Sequence, residues 1–196
     1  MGLGRPREFD ADEALDRALE VFWRQGYEGT SLTDLTEAMG IAKPSLYAVF
    51  GNKEELFRKA LDRYAARRSD AACDALSEPT SRRAVEGLLL NFIGANVDDD
   101  APKGCLMVQG ALVCSEAGES IRQELCARRS ESEAALCRRM ADWKDVGDLP
   151  PEADPADLAR YVMAVANGMA VQAAGGAGKE ELRRVVEMTI RSWPPV

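Results

Sequence analysis

Histidine is absent from all 196 residues. That absence removes Ser-His and Cys-His nucleophile pairs and every imidazole metal ligand. Paired metal-binding cysteines are missing too: Cys73, Cys105, Cys114, Cys126 and Cys137 are widely spaced, with no C-x-x-C. Their number is odd, and the start, "MGLGRPREFD", is polar and charged rather than an apolar leader. Both features lead to the expectation of a cytoplasmic protein with reduced thiols. The longest weakly polar run, 158–178, contains Arg160, Asn167 and Gln172 and is rich in alanine and glycine, so no membrane span is expected. Sustained period-2 alternation is missing as well, which excludes an all-β reading.

Enzyme signatures fail in detail. "GGAGKEE" at 175–181 superficially resembles a phosphate loop, but Ala173 stands where the first glycine belongs, Glu180 replaces Ser/Thr, and no strand pattern precedes it. "DDD" at 98–100 lacks the spaced ligands of a calcium loop. No pair of carboxylates sits in an apolar context. Neither catalysis nor a cofactor or metal is expected.

Helical periodicity is what the chain does have. The apolar fraction of 46% is that of a globular protein. Leu15, Leu19 and Phe22 form a stripe on a first helix, about Ala11 to Gln25, closed by Gly26 and Gly29. Ser31 with Asp34 reads as a capping box for a short second helix, and Gly40 ends it. Pro44 suits the first turn of a third, with Leu46, Val49 and Phe50 turned inward. Asn52 with Glu55 caps a fourth, near Lys53 to Leu76. Further helices follow to about Asn96, from Glu116 to Trp143, and over the last two segments, Pro155 to Ala174 and Lys179 to Trp193. The expectation is an all-α fold of about nine helices. It divides into residues 1–52, an N-terminal arm and three short helices, and residues 53–196, a larger helical domain.

The net charge is -8, which by itself argues against a polyanionic partner. Yet the window from Ala38 to Asn52 holds a single charged residue, Lys43. Two short helices joined by the "GIAK" turn form a helix-turn-helix pattern, whose second helix enters a major groove lined by phosphates. A helix with that task cannot present carboxylates. Lys43 reaches a base acceptor or a phosphate, Ser45 offers a hydroxyl, and Tyr47 and Lys53 suit phosphate oxygens. Pro44 and Ala48 can touch a thymine methyl. Spacing alone leaves open an ordinary pair of surface helices.

The stretch "ALEVFWRQGYEGTSLTDLTEAMGIAKPSLYAVFGNKEELFRKAL" carries more than a bare helix-turn-helix. It combines F-x-x-x-G-Y-x-x-T-[ST], G-I-x-x-x-x-L-Y and F-x-N-K-x-x-L-F, and it resembles the DNA-binding region of the TetR family of transcriptional regulators. The resemblance covers about a quarter of the chain, and it implies that residues 1–52 are an N-terminal arm and a three-helix DNA-binding domain with a helix-turn-helix, and residues 53–196 a helical ligand-binding and dimerisation domain. It implies base contacts from Lys43, Pro44, Ser45 and Ala48, phosphate contacts from Tyr47 and Lys53, and further backbone contacts from Thr30, Ser31 and Thr33. Two departures stand out. Ala42 replaces a frequent capping serine, and Ala48 and Val49 replace a frequent aromatic or histidine. In the "GRPRE" arm, Arg5 and Arg7 are candidates for an adjacent minor groove.

One such unit reads few bases, so a two-fold homodimer through the last two helices is expected, with half-sites ~34–36 Å apart on a palindromic operator. Small side chains in "AVANGMAVQAAGG" permit close helix approach, with Val165, Met169 and Gln172 on or near one face. The middle of the chain would hold an unidentified small-molecule effector, with Phe92, Cys105, Met107, Leu112, Trp143, Met163 and Met169 as candidate lining. Effector binding would release the operator, and the resemblance favours a repressor. Cys105 after "PKG" is read as a small buried hydrophobe rather than a thiol switch. The competing reading is a helical protein-interaction adaptor without specific DNA binding.

Overall fold

The computed structural model describes residues 9–97, 102–109 and 118–194. Arg5, Arg7, Leu112 and Cys114 lie outside the described residues. Among the described residues the chain is helical, with nine helices and no strand: α1 (Ala11–Gly29), α2 (Leu32–Met39), α3 (Lys43–Phe50), α4 (Lys53–Leu76), α5 (Ser81–Asn96), α6 (Leu106–Gln109), α7 (Glu119–Asp145), α8 (Pro155–Ala174) and α9 (Lys179–Arg191). None of them is long and apolar enough to cross a membrane.

The chain forms two compact units that divide within α4, between Ala66 and Arg67. The sequence expectation drew the division before α4, at 52/53. The contacts put the first turns of α4 in the first unit, because Leu56, Phe57, Ala60, Leu61 and Tyr64 are all buried and three of the unit's aromatic contacts run through Phe57 and Tyr64. Phe22 meets Phe57 edge-on at 4.9 Å, Trp23 meets Tyr64 at 5.0 Å, and Tyr27 meets Phe57 at 5.1 Å. A guanidinium adds a polar tie across the same pair of helices, with Arg63 Nη2 2.6 Å from Asp12 Oδ1.

Helix ends in this unit follow the sequence signals. Asp10 accepts from the N–H groups of Asp12 and Glu13 at the start of α1. Gly26 breaks α1 internally at φ 72°, a left-handed backbone that only glycine adopts cheaply. The expected end at Gln25 is therefore a kink, after which one more turn reaches Gly29.

The second unit is built on α5, α7, α8 and α9 around Leu89, Ile93, Leu136, Met140, Trp143, Val162, Val186 and Trp193. Its ends are stapled by side chains distant in sequence. Trp193 Nε1 donates to Ser81 Oγ at 3.1 Å, and the Ser81 N–H donates to Asp148 Oδ2 at 2.6 Å. The small residues of α8 serve this core: Ala159, Ala166, Ala170 and Ala173 are buried within the unit. Val165, Met169 and Gln172 accordingly do not share an outward face, since Met169 is buried, Val165 half-buried and Gln172 exposed. Packing inside the unit accounts for those four alanines, while Ala164, Gly168 and Ala174 of the same helix are exposed.

Candidate nucleic-acid interface

Helix α3 has Ala42 as its N-cap, with no side-chain cap and Pro44 in its first turn. Leu46 and Phe50 pin it from below, both buried. That leaves Lys43, Pro44, Tyr47 and Ala48 exposed on its outer side, with Ser45 half-buried beside them. No acidic residue occupies its first turn.

Two carboxylates near α3 in sequence, Asp34 and Glu55, accept from the backbone, whereas Glu37 at the end of α2 is exposed. Asp34 Oδ2 accepts from the Ser31 N–H at 2.8 Å, and Ser31 Oγ accepts from the Asp34 N–H at 3.1 Å. The hydrogen bond from Ser31 lowers the Asp34 carboxyl below its usual range. At the other junction Glu55 Oε2 accepts from the Asn52 N–H, and Asn52 Oδ1 from the Glu55 N–H, each at 2.9 Å. Gly51 makes the turn between α3 and α4 at φ 80°. A Cβ there would lie 1.8 Å from Glu55 Oε2, so the turn and its cap require glycine. Both boxes anticipated from sequence are present, and each gives a carboxylate near α3 a local backbone N–H partner.

Lys53 sits half-buried with its ammonium 4.5 Å from the centre of the Tyr27 ring. Desolvation lowers its pKa, while Glu28 and Asp34 pull in the opposite direction. Burial in turn raises the Tyr27 phenol. Ser31 and Thr33 are exposed at the start of α2. Thr30 is not presented outward: it is buried, and its hydroxyl donates to Gly26 O at 2.7 Å. That hydrogen bond ties down the kink in α1, a structural use that the Thr-Ser motif does not announce.

One participant was missed at sequence level. Lys59 Nζ donates to Phe50 O at 3.0 Å, holding the last carbonyl of α3 from α4. An i to i+9 contact across a turn leaves no periodic trace.

The effector candidates scatter within the second unit. Phe92 lines a cavity of about 190 Å³ between α4 and α5, with Leu88, Ala71 and Ala72. Met107 is half-buried on α6, and Met163 packs on the edge of the core. Cys105 is buried at 7% exposure, as its reading as a small hydrophobe requires. Trp143 and Met169 belong to the closed core and line neither this cavity nor a second one between α6, α7 and α8.

This architecture, a helix-turn-helix unit followed by a larger helical unit, defines a DNA-binding regulatory protein. Residues 14–60 match the family model for bacterial regulatory proteins of the tetR family. The chain is 37% identical over 195 residues to the HTH-type transcriptional repressor ComR of Escherichia coli K12, covering 97% of this chain and 92% of that one. It is 33% identical over 162 residues to an uncharacterised HTH-type regulator, YezE, of Bacillus subtilis, covering 82% and 84% of the two chains. Among solved structures, a cysteine-substituted TetR family regulator, CifR, in complex with a 26 bp double-strand operator DNA superposes with a TM-score of 0.93 at 43% identity, covering 97% of this chain and all of that one. The chain belongs to the TetR family of transcriptional regulators.

Proposed function

We propose that the protein is a homodimeric repressor that grips a palindromic operator through two copies of α3 and releases it when a small molecule binds the second unit. The observation that carries this reading is the outer row of α3: Lys43, Pro44, Tyr47 and Ala48 stand exposed while the neighbouring carboxylates of Asp34 and Glu55 are engaged by backbone N–H groups. ComR's description as a repressor and the operator complex of CifR support it. Lys43, Pro44, Ser45 and Ala48 face the bases, and Tyr47, Lys53, Ser31 and Thr33 hold phosphates. Arg5 and Arg7 extend the grip into the minor groove. The setting is the cytoplasm.

Dimerisation is assigned to the outer faces of α8 and α9. Tyr161 and Val171 are exposed on α8, and Val185 and Met188 on α9, with Met188 at 65%. These four occupy the sides turned away from the unit's own core, where a second copy can bury them as a four-helix layer.

Selection of bound duplexes from a random pool tests the whole reading. A repressor of this kind enriches inverted half-sites about one helical turn apart. Enrichment of unrelated sequences, or of none, contradicts it.

A further inference from the structure

Arg129 differs from the other arginines around it on α7. Arg122 pairs with Glu119 at 2.6 Å and Arg128 with Glu124 at 2.8 Å. Arg129 is half-buried, and its partners are neutral: Nη1 donates to Met107 O at 3.0 Å and Nη2 to Cys126 Sγ at 3.3 Å. Among the described residues no carboxylate pairs with it, so a carbonyl and a thiol fix the direction of the guanidinium without balancing its charge. Partial burial of a cation lacking a counter-ion is unfavourable, and an anion brought to it relieves that cost.

A cavity of about 350 Å³ adjoins this group, lined by Arg129 with Val108 of α6 and Asn167, Gly168 and Val171 of α8. The Asn167 amide is half-buried and makes no side-chain hydrogen bond among the described residues. A Cβ on Gly168 would meet nothing within 4 Å, so the α8 backbone borders open space there. The remaining wall is valine. One fixed cation, one amide and an apolar surround form the usual make-up of a small-ligand site.

We propose that this cavity binds a small monocarboxylate with a flat apolar body, and that such an acid is the effector; the second clause rests on the effector-responsive reading given above. An arginine fork matches a carboxylate in geometry and charge. A single guanidinium with valine walls suits one negative charge and an apolar remainder, and it disfavours a phosphate dianion. The cavity opens to solvent, so its volume sets only the part of a ligand it can hold: an enclosed cavity of about 150 Å³ holds benzene, which scales to roughly 12–14 non-hydrogen atoms here. Val171 also belongs to the α8 face assigned to the second copy, so the test uses the full-length protein in its native assembly.

Calorimetric titration with 2-naphthoate and with its neutral amide, 2-naphthamide, tests the proposal. The acid binds at least about tenfold more tightly than the amide, the gain expected of a charge-assisted pair. Arg129→Met, checked for an unchanged melting profile, makes the two ligands equal. Asn167→Leu keeps the arginine, narrows the space and weakens both. Should Arg129→Met fail to fold, the wild-type ratio and Asn167→Leu still decide. The site is overturned by no heat with either ligand, by equal affinity in the wild type, or by an acid preference that survives in folded Arg129→Met. Operator affinity is measured alongside. Binding of 2-naphthoate without loss of operator leaves the site standing and overturns its role as the effector site.

Discussion

The ammonium of Lys53 lies 4.5 Å from the centre of the Tyr27 ring, so the first residue of α4 is held against the last turn of α1. A cation over an aromatic face is attracted without being neutralised, unlike one in a carboxylate pair. Lys53 thus keeps its charge while its position is fixed. Lys53→Ala should weaken operator binding uniformly across sequences and reduce the slope of log K against log salt by about 1. Tyr27→Leu should weaken binding less and leave the slope unchanged, because the charge remains but its seat is lost. Salt titrations by fluorescence anisotropy measure both.

Lys43 and Tyr47 stand a helical turn apart on the exposed side of α3. Lys43→Ala should cost about 1–3 kcal/mol at its preferred base and blur selectivity there. Tyr47→Phe keeps the ring and removes a neutral hydroxyl, so affinity should fall with neither base preference nor salt slope altered. Binding to a set of single-base operator variants separates the two.

Lys59 reaches from α4 to the last carbonyl of α3. It acts as a positioning residue, worth about 0.3–1 kcal/mol as a cation at a helix C-terminus. Lys59→Met should lower operator affinity with an unchanged salt slope, and Lys59→Arg should restore it. A slope reduced by about 1 would instead mean that Lys59 itself contacts phosphate.

Asp34 titrates below its usual value because Ser31 holds its charged form. A depressed carboxyl stabilises the fold fully above its unfolded pKa and loses that contribution as pH falls through the folded one. The melting temperature of wild type should therefore exceed that of Asp34→Asn at neutral pH, and the gap should close as pH falls below 3.8, the ordinary value for this carboxyl. A gap independent of pH contradicts this role for the carboxylate.

Local chemistry was the legible part of the sequence. Capping boxes, the proline start of α3 and the glycine turns each act within four residues, and α4 and α8 begin and end where their signals place them. Burial was less legible wherever a residue type served either purpose. Thr30 sits in a motif read as outward-facing, yet its hydroxyl ties the Gly26 kink. The small residues of α8 suit a dimer seam or a tight core, and the structure uses many of them in the core. Contacts between distant positions left no trace at all. Arg129 lies in a charged stretch of α7, and the placement of α6 and α8 beside it supplies the Met107 carbonyl and the cavity.

The central claim is that a net-negative protein holds DNA by keeping carboxylates off one face, and Ala48 is where that claim is most exposed. It is a surface residue on the outer row of α3, so Ala48→Glu should leave the melting temperature close to wild type. Operator binding by Ala48→Glu is the measurement to make, with Ala127→Glu on the exposed side of α7 as the control of equal charge. The account predicts that Ala48→Glu abolishes binding at low salt while Ala127→Glu retains it. Equal operator affinity for the two folded variants would contradict it.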